Sequence, residues 1–314
     1  WSQRKFLRFF KTSGTPTVTY VERDKGTLEF KLKAGLDDPG QLCLLTGPSK
    51  TGKTTLYQRV IESDGYLPLI ARCEGTMEAG DVWRKALERL DFSRVSQHSS
   101  STGKERKAST RARASVGWKW LANLTGEIAA GISDSSNESE IRENILSKPS
   151  PEHLVPALKY LPYVLVVEDF HYLDSGTQKH VFQQWKTFTD EGISVIVLGT
   201  THHAIDIAQS NRDLLGRINH IEVDTWSVGD LKKIVDKGMT HLAVQCSSSL
   251  GQLIAEESAG LPLITQQVCQ EIFLRNKMQS FDPSNDQMEL NKNVVKDALH
   301  GVAKDRYKTL ENPR

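Results

Sequence analysis

The stretch Gly47-Pro48-Ser49-Lys50-Thr51-Gly52-Lys53-Thr54-Thr55 sets two glycines, a lysine and several hydroxyls at the spacing of a phosphate cradle. Its glycines let the backbone curl until consecutive N–H groups face phosphate oxygens, and a helix beginning there adds partial positive charge. In such a loop Lys53 reaches the β and γ phosphates, and the Thr54 hydroxyl ligates Mg²⁺. ATP or ADP with Mg²⁺ is the ligand this chemistry expects. A chance turn rich in glycine and lysine is the bland alternative. The apolar run Leu42 to Leu45 before the loop and the helical spacing of Leu56, Val60 and Ile61 after it favour the cradle.

A second group of reactive side chains is Glu168-Asp169, which follows the apolar run Val164 to Val167. One carboxylate can hold a magnesium-bound water while its neighbour orients or deprotonates an attacking water, whereas the plainer role is a helix cap. Thr200 or Thr201 could bond the γ-phosphate or that water, or else satisfy local backbone. Arg217, or Arg212, could stabilise transition-state charge on a neighbouring subunit's nucleotide, with a surface arginine as the competing reading. His202 and His203 have no second ligand cluster, which argues against a metal role.

These groups need a frame, and the periodicity supplies one. Apolar runs at 41–45, 66–71, 163–169, 193–198 and 220–223 read as strands separated by helices, and from Ser227 onward the pattern is helical throughout. That succession implies an α/β fold, a parallel sheet with helices on both faces, carrying a helical lid. We place an N-terminal arm at 1–16, the core at 17–225 and the lid at 226–314. Ligands of parallel sheets sit at the carboxyl ends of strands, where the loop, Glu168-Asp169 and Thr200-Thr201 all fall.

Other stretches leave choices open. Trp1 to Lys11 is basic and aromatic, either a helix packed on the domain or an arm for a membrane surface or nucleic acid. Thr17 to Arg23 reads as extended. Leu28, Leu32 and Leu36 have helical spacing, although Phe30 between them also permits a strand. An insertion spans about 93–144. Its first part, Ser93 to Ser115, carries six basic residues and one acid, a solvated loop or, with its flank, a nucleic-acid or acidic-partner contact through 104–119. Val116 to Ile132 alternates around Thr125-Gly126, which predicts a β-hairpin, with an apolar helix as the alternative. Asp134 to Glu140 reads as an acidic, serine-rich linker.

The bulk numbers bound the possibilities. A chain of 314 residues can bury a large core, and a net charge of +1 excludes whole-molecule electrostatic binding of nucleic acid. Four scattered cysteines without metal spacing suggest reduced thiols and a cytoplasmic setting. No apolar run approaches the roughly 20 residues of a membrane helix. Beginning at Trp1, the chain reads as part of a longer protein.

Tyr20-Val21-Glu22-Arg23, the loop Gly47 to Thr54, Val164 to Asp169, Thr200-Thr201, Arg217 and Gly260-Leu261-Pro262-Leu263, in this order, resemble the STAND branch of AAA-type P-loop ATPases. These are signalling switches related to NB-ARC and NACHT modules and to archaeal initiator-like ATPases, and the resemblance covers about 17–275. It implies an ASCE sheet of order 5-1-4-3-2, with Val21 and Arg23 near the adenine. It also implies that Pro262 contacts the nucleotide from the other side, so that lid closure couples nucleotide to conformation. By analogy it implies an antiphage or immune role. The acids depart from the family order, since Glu168 precedes Asp169, which implies slow hydrolysis or a nucleotide held mainly for structure.

The function expected is therefore an ATP-binding, slowly hydrolysing switch that controls self-association or the binding of an effector or sensor protein. A nucleic-acid-dependent ATPase of initiator or loader type is the alternative, and a P-loop kinase acting on a small molecule is a third.

Overall fold

The computed structural model describes residues 9–12, 14, 18–95, 116–126, 136–199, 216–276, 288 and 290–311, with side chains through 304. It comprises two compact units. One holds residues 29–47 and 56–222; the other holds the chain up to Leu28, Pro48–Thr55 and the chain from Val223 onward.

The first unit is built on a five-stranded parallel sheet of β1 (Leu42–Thr46), β2 (Leu67–Arg72), β3 (Tyr163–Glu168), β4 (Val195–Leu198) and β5 (Ile218–Glu222), in the order β2-β3-β4-β1-β5. This is the order the family resemblance implies. β1, β3 and β4 are buried along their whole length, as continuous apolar runs in a parallel sheet must be when both faces are covered. Helices α1 (Thr27–Asp37), α2 (Lys53–Ser63) and α3 (Ala79–Glu88) punctuate the first strands. In α1 Leu32 is buried while Phe30 is exposed, so the i, i+4 pattern decides for helix over strand.

The insertion does not form the expected hairpin where it is described. Trp118–Thr125 is a helix, α4, ended by Gly126 in the left-handed conformation. The Glu138 carboxylate accepts the backbone N–H groups of Trp118 at 2.6 Å and Lys119 at 3.2 Å, capping α4 from outside its own turn. Trp118, Leu121 and Ala122, at helical spacing, enter the sheet unit's core, and Trp120 packs against it. Both tryptophans thus pack down on the body. The expected linker is also partly helical: Asn137 caps α5 (Glu138–Ser147) by accepting the Glu140 N–H, and the Glu140 side chain returns the bond. Residues 96–115 and 127–135 lie outside the described set.

The unit is completed by α6 (Val155–Tyr160), α7 (Ser175–Gln184) and α8 (Lys186–Asp190). Trp83, Phe170, Phe182, Trp185 and Phe188 form an aromatic cluster in its core.

The second unit is helical, with α9 (Val228–Leu242), α10 (Ser248–Glu257), α11 (Pro262–Arg275) and α12 (Lys292–Glu311). Its core joins Val235, Met239, Leu242, Ile254, Cys269, Ile272 and Phe273 with Phe10, which is wholly buried. Of the basic aromatic start, the described residue Phe10 is therefore a packing residue. Val18 to Glu22 is irregular rather than a strand, pinned where Thr19 donates to the Phe9 carbonyl at 2.9 Å and accepts the Gln266 amide at 2.8 Å. Among the described residues no helix is long and apolar enough to cross a membrane.

Candidate functional site

The loop after β1 has the backbone that its glycines allow. Gly47 has φ 139° and Gly52 φ 99°, both closed to side chains, and Lys50 between them sits at φ 68°. A non-glycine residue in that region carries strain, and such strain collects at functional loops. The Pro48 carbonyl accepts Thr51 Oγ1 at 3.0 Å and Lys53 Nζ at 2.7 Å. Thr51 is fully buried, while Ser49, Lys50 and Thr54 are exposed; Lys53, Thr54 and Thr55 form the first turn of α2.

In the same unit as Pro48–Thr55 lie three more residues singled out above. Val21 is buried with Leu231, Ile234 and Ala255, and Trp226 packs against this cluster. Arg23, also buried, donates from Nη1 to the Asp224 carbonyl at 2.7 Å and lies 4.9 Å from the centre of the Trp226 ring. Pro262 opens α11, where its fixed φ suits a helix's first position. Trp226 was missed from sequence. Its indole Nε1 donates to the Thr51 carbonyl at 2.8 Å, and its backbone N–H donates to the Gly260 carbonyl at 2.9 Å.

In the sheet unit the carboxyl ends of β1, β3 and β4 share one edge. Glu168 closes β3 with its side chain 5% exposed. Oε1 accepts the Tyr57 hydroxyl at 2.9 Å, and Oε2 accepts Arg72 Nη2 at 2.7 Å and Nε at 3.2 Å. Burial, reinforced by the charge of Glu168 and its hydrogen bond, pushes the Tyr57 phenol well above its ordinary range, so it stays a donor. Asp169 follows in the left-handed region at φ 58°, with its side chain 42% exposed and one oxygen 3.8 Å from Arg72 Nε. The two acids therefore have different environments: Glu168 is engaged and dry, Asp169 open.

Arg72 and Tyr57 were also missed. Arg72 faces Glu168 because the two are register partners at the ends of β2 and β3. Gly199 N–H donates to the Leu45 carbonyl, which leads the chain out of β4 beside β1, but Thr200, Thr201 and Arg212 lie outside the described residues. Arg217 precedes β5, where its carbonyl accepts the Leu42 N–H and its guanidinium donates to the Thr189 carbonyl at 2.8 Å. It stands at the amino end of the sheet, a strand's length from Glu168 and Asp169. Near the opposite end Thr46 and His220 Nε2 are joined at 2.7 Å. Among the described residues no group of three His, Cys, Asp or Glu side chains could hold a metal ion.

No protein-family model and no curated protein matches this chain. Solved structures do. The Walker-type ATPase PABY2304 of Pyrococcus abyssi aligns with a TM-score of 0.58 at 13% identity, covering 96% of this chain and 79% of that one. Drosophila ORC bound to DNA aligns at 0.49 and 14% identity, over 100% and 70% of the two chains. The RuvB Holliday junction branch migration motor of Thermotoga maritima aligns at 0.47 and 14%, over 91% and 73%. At such identities the likeness concerns architecture, and the first alignment carries it: this chain has the fold of a P-loop ATPase.

Proposed function

We propose that the protein is an ATP-binding, slowly hydrolysing switch of the STAND type, in which nucleotide state sets self-association or the binding of an effector or sensor protein. The observation that carries this reading is the membership of the second unit. The loop segment Pro48–Thr55 folds with the C-terminal helices, in one unit with Val21, Arg23 and Pro262. A ligand on that loop acts directly on the helical unit, and a nucleotide selects a conformation only through such differential contact.

The residues present fit the ligand. The left-handed positions at Gly47, Lys50 and Gly52 give the curl a phosphate chain needs, and Lys53 holds its ammonium against the loop at the Pro48 carbonyl. Thr54, in the first turn of α2, offers Mg²⁺ a hard oxygen. Bound Mg²⁺ supplies charge neutralisation for the phosphates. Slow turnover fits Glu168, whose two oxygens are held by Tyr57 and Arg72.

The test is light scattering and calorimetry with MgATP, MgADP and neither, repeated with DNA and RNA. Lys53→Ala should lose nucleotide binding. Asp169→Asn should keep binding, hydrolyse more slowly and hold the ATP-dependent assembly state. Unaltered ATP binding by Lys53→Ala would overturn the site, and turnover that rises only with nucleic acid would replace the switch with a nucleic-acid-dependent ATPase.

A further inference from the structure

Trp226 touches the phosphate loop beside its second glycine. Its indole N–H donates to the Thr51 carbonyl at 2.8 Å, and its ring carbon Cζ2 lies 3.9 Å from where a Cβ on Gly52 would stand. The carbonyl of Thr51 and the N–H of Gly52 belong to one trans peptide plane and point in opposite directions. Holding the carbonyl toward the indole therefore aims the Gly52 N–H away from it. Gly52 is the second glycine of the motif and adopts φ 99°. A glycine has no side chain to limit the turning of that peptide, so a bond to its carbonyl from outside the loop can set the direction.

The indole is itself fixed on three sides. The Arg23 guanidinium lies over its ring, with Nη1 tied to the Asp224 carbonyl two residues earlier. The backbone N–H of Trp226 is bound to the Gly260 carbonyl, two residues before Pro262. Its side chain packs on the cluster of Val21, Leu231, Ile234 and Ala255.

We propose that Trp226 is a positioning residue for the nucleotide loop: through the Thr51 carbonyl it sets the Thr51–Gly52 peptide so that the Gly52 N–H is presented to the phosphate chain. The inference rests on the nucleotide reading above and adds a specific residue to it. It also gives the N-terminal segment and the start of α11 a route to the loop, because both are bound to the same tryptophan.

The experiment uses the whole chain with two replacements at position 226. Trp226→Phe keeps an aromatic face for Arg23 and removes the N–H. Site-specific incorporation of 3-benzothienylalanine keeps the bicyclic shape, replaces N–H by sulfur and serves if the phenylalanine variant folds poorly. Loss of one hydrogen bond to a buried carbonyl costs enough to weaken MgATP and MgADP binding by roughly 5-fold and at most about 150-fold. The nucleotide-free melting temperature of the isostere should fall by no more than the few degrees that one hydrogen bond accounts for. In glycine-labelled protein, the shift of the Gly52 amide on adding MgATP should be reduced in both variants; a merely structural role would not move it. Wild-type affinity and an unchanged Gly52 shift in the isostere overturn the proposal alone, provided that Lys53→Ala loses binding. Wild-type protein that binds no MgATP ends this proposal together with the switch reading.

Discussion

Arg72 directs Nη2 at 2.7 Å and Nε at 3.2 Å to the same oxygen of Glu168, from the register position beside it. Arg72 is 64% exposed along its side chain and Glu168 only 5%, so the arginine brings charge from the surface to an acid that has left water. Arg72→Ala removes both guanidinium bonds to the buried carboxylate and keeps the bond from the Tyr57 hydroxyl. We expect a loss of about 1–3 kcal/mol in urea unfolding, toward the lower end because solvent screens the exposed arginine. Arg72→Lys keeps the charge but loses the two-pronged geometry, and should fall between. Wild-type stability in Arg72→Ala would show that the pair holds nothing together.

Asp230 gives the helical unit an acid limit. Burial works against its ionised form, but hydrogen bonds from Lys233 and Ser227, aided by the charges of Lys233 and Arg23, outweigh it and hold the carboxyl below its ordinary value. The folded state therefore binds this proton less readily than the unfolded chain. The contribution is present above the ordinary carboxylate pKa and is lost as pH falls through the folded value, below about pH 4. Asp230→Asn should cost about 1 kcal/mol at neutral pH and flatten the decline between pH 4 and 2. Melting curves across that range check both.

The thiols should separate by burial. Cys43 and Cys73 are pushed up to about 12 by desolvation, and Cys269, fully enclosed, is raised well above its usual value. Cys246 is raised too, but it is only half-buried. At pH 8 a thiol reagent should modify Cys246 first and reach the other three only on unfolding, because the thiolate is the reactive form. Rapid labelling of Cys43 in the native protein would contradict the burial of β1.

Gly238 is a packing glycine. A Cβ there would collide with the Phe10 ring and stand 3.1 Å from Thr19 Cγ2. Alanine normally favours a helix by up to about 1 kcal/mol over glycine, yet Gly238→Ala in α9 should destabilise by about 1–3 kcal/mol, since Phe10 is wholly buried and has nowhere to turn. A raised melting temperature would mean that the N-terminal segment packs elsewhere.

The frame was largely legible. Strands buried on both faces leave unbroken apolar runs, and the glycines of the loop carry their own geometry, so 42–46, 163–168 and the helices from 228 onward stood out. The alternation through Trp118 and Trp120 misled because it competes with a three- and four-residue spacing, Trp118, Leu121 and Ala122; the carboxylate that caps this helix comes from Glu138. Arg72 and Trp226 were hidden for a related reason. Their roles arise from register with Glu168 and from a bond to Thr51, far away in sequence, which no local pattern records. The stretch Thr17 to Arg23 reads as extended, yet Val18 and Thr19 lie in a turn whose place is held by the side-chain bonds of Thr19.

The neighbours of β1 have a consequence for synthesis. Both strands that flank the loop-bearing strand, β4 and β5, come late in the chain, and neither β2 nor β3 pairs with it. A ribosome that has already released the glycine loop must still deliver Val195 onward before Leu42 to Leu45 find a partner. Until then these four apolar residues offer open edges on both sides, the state in which a nascent chain is most prone to mispairing. Fragments that end before β4 should therefore depend on chaperones and bind no nucleotide, however intact their motif.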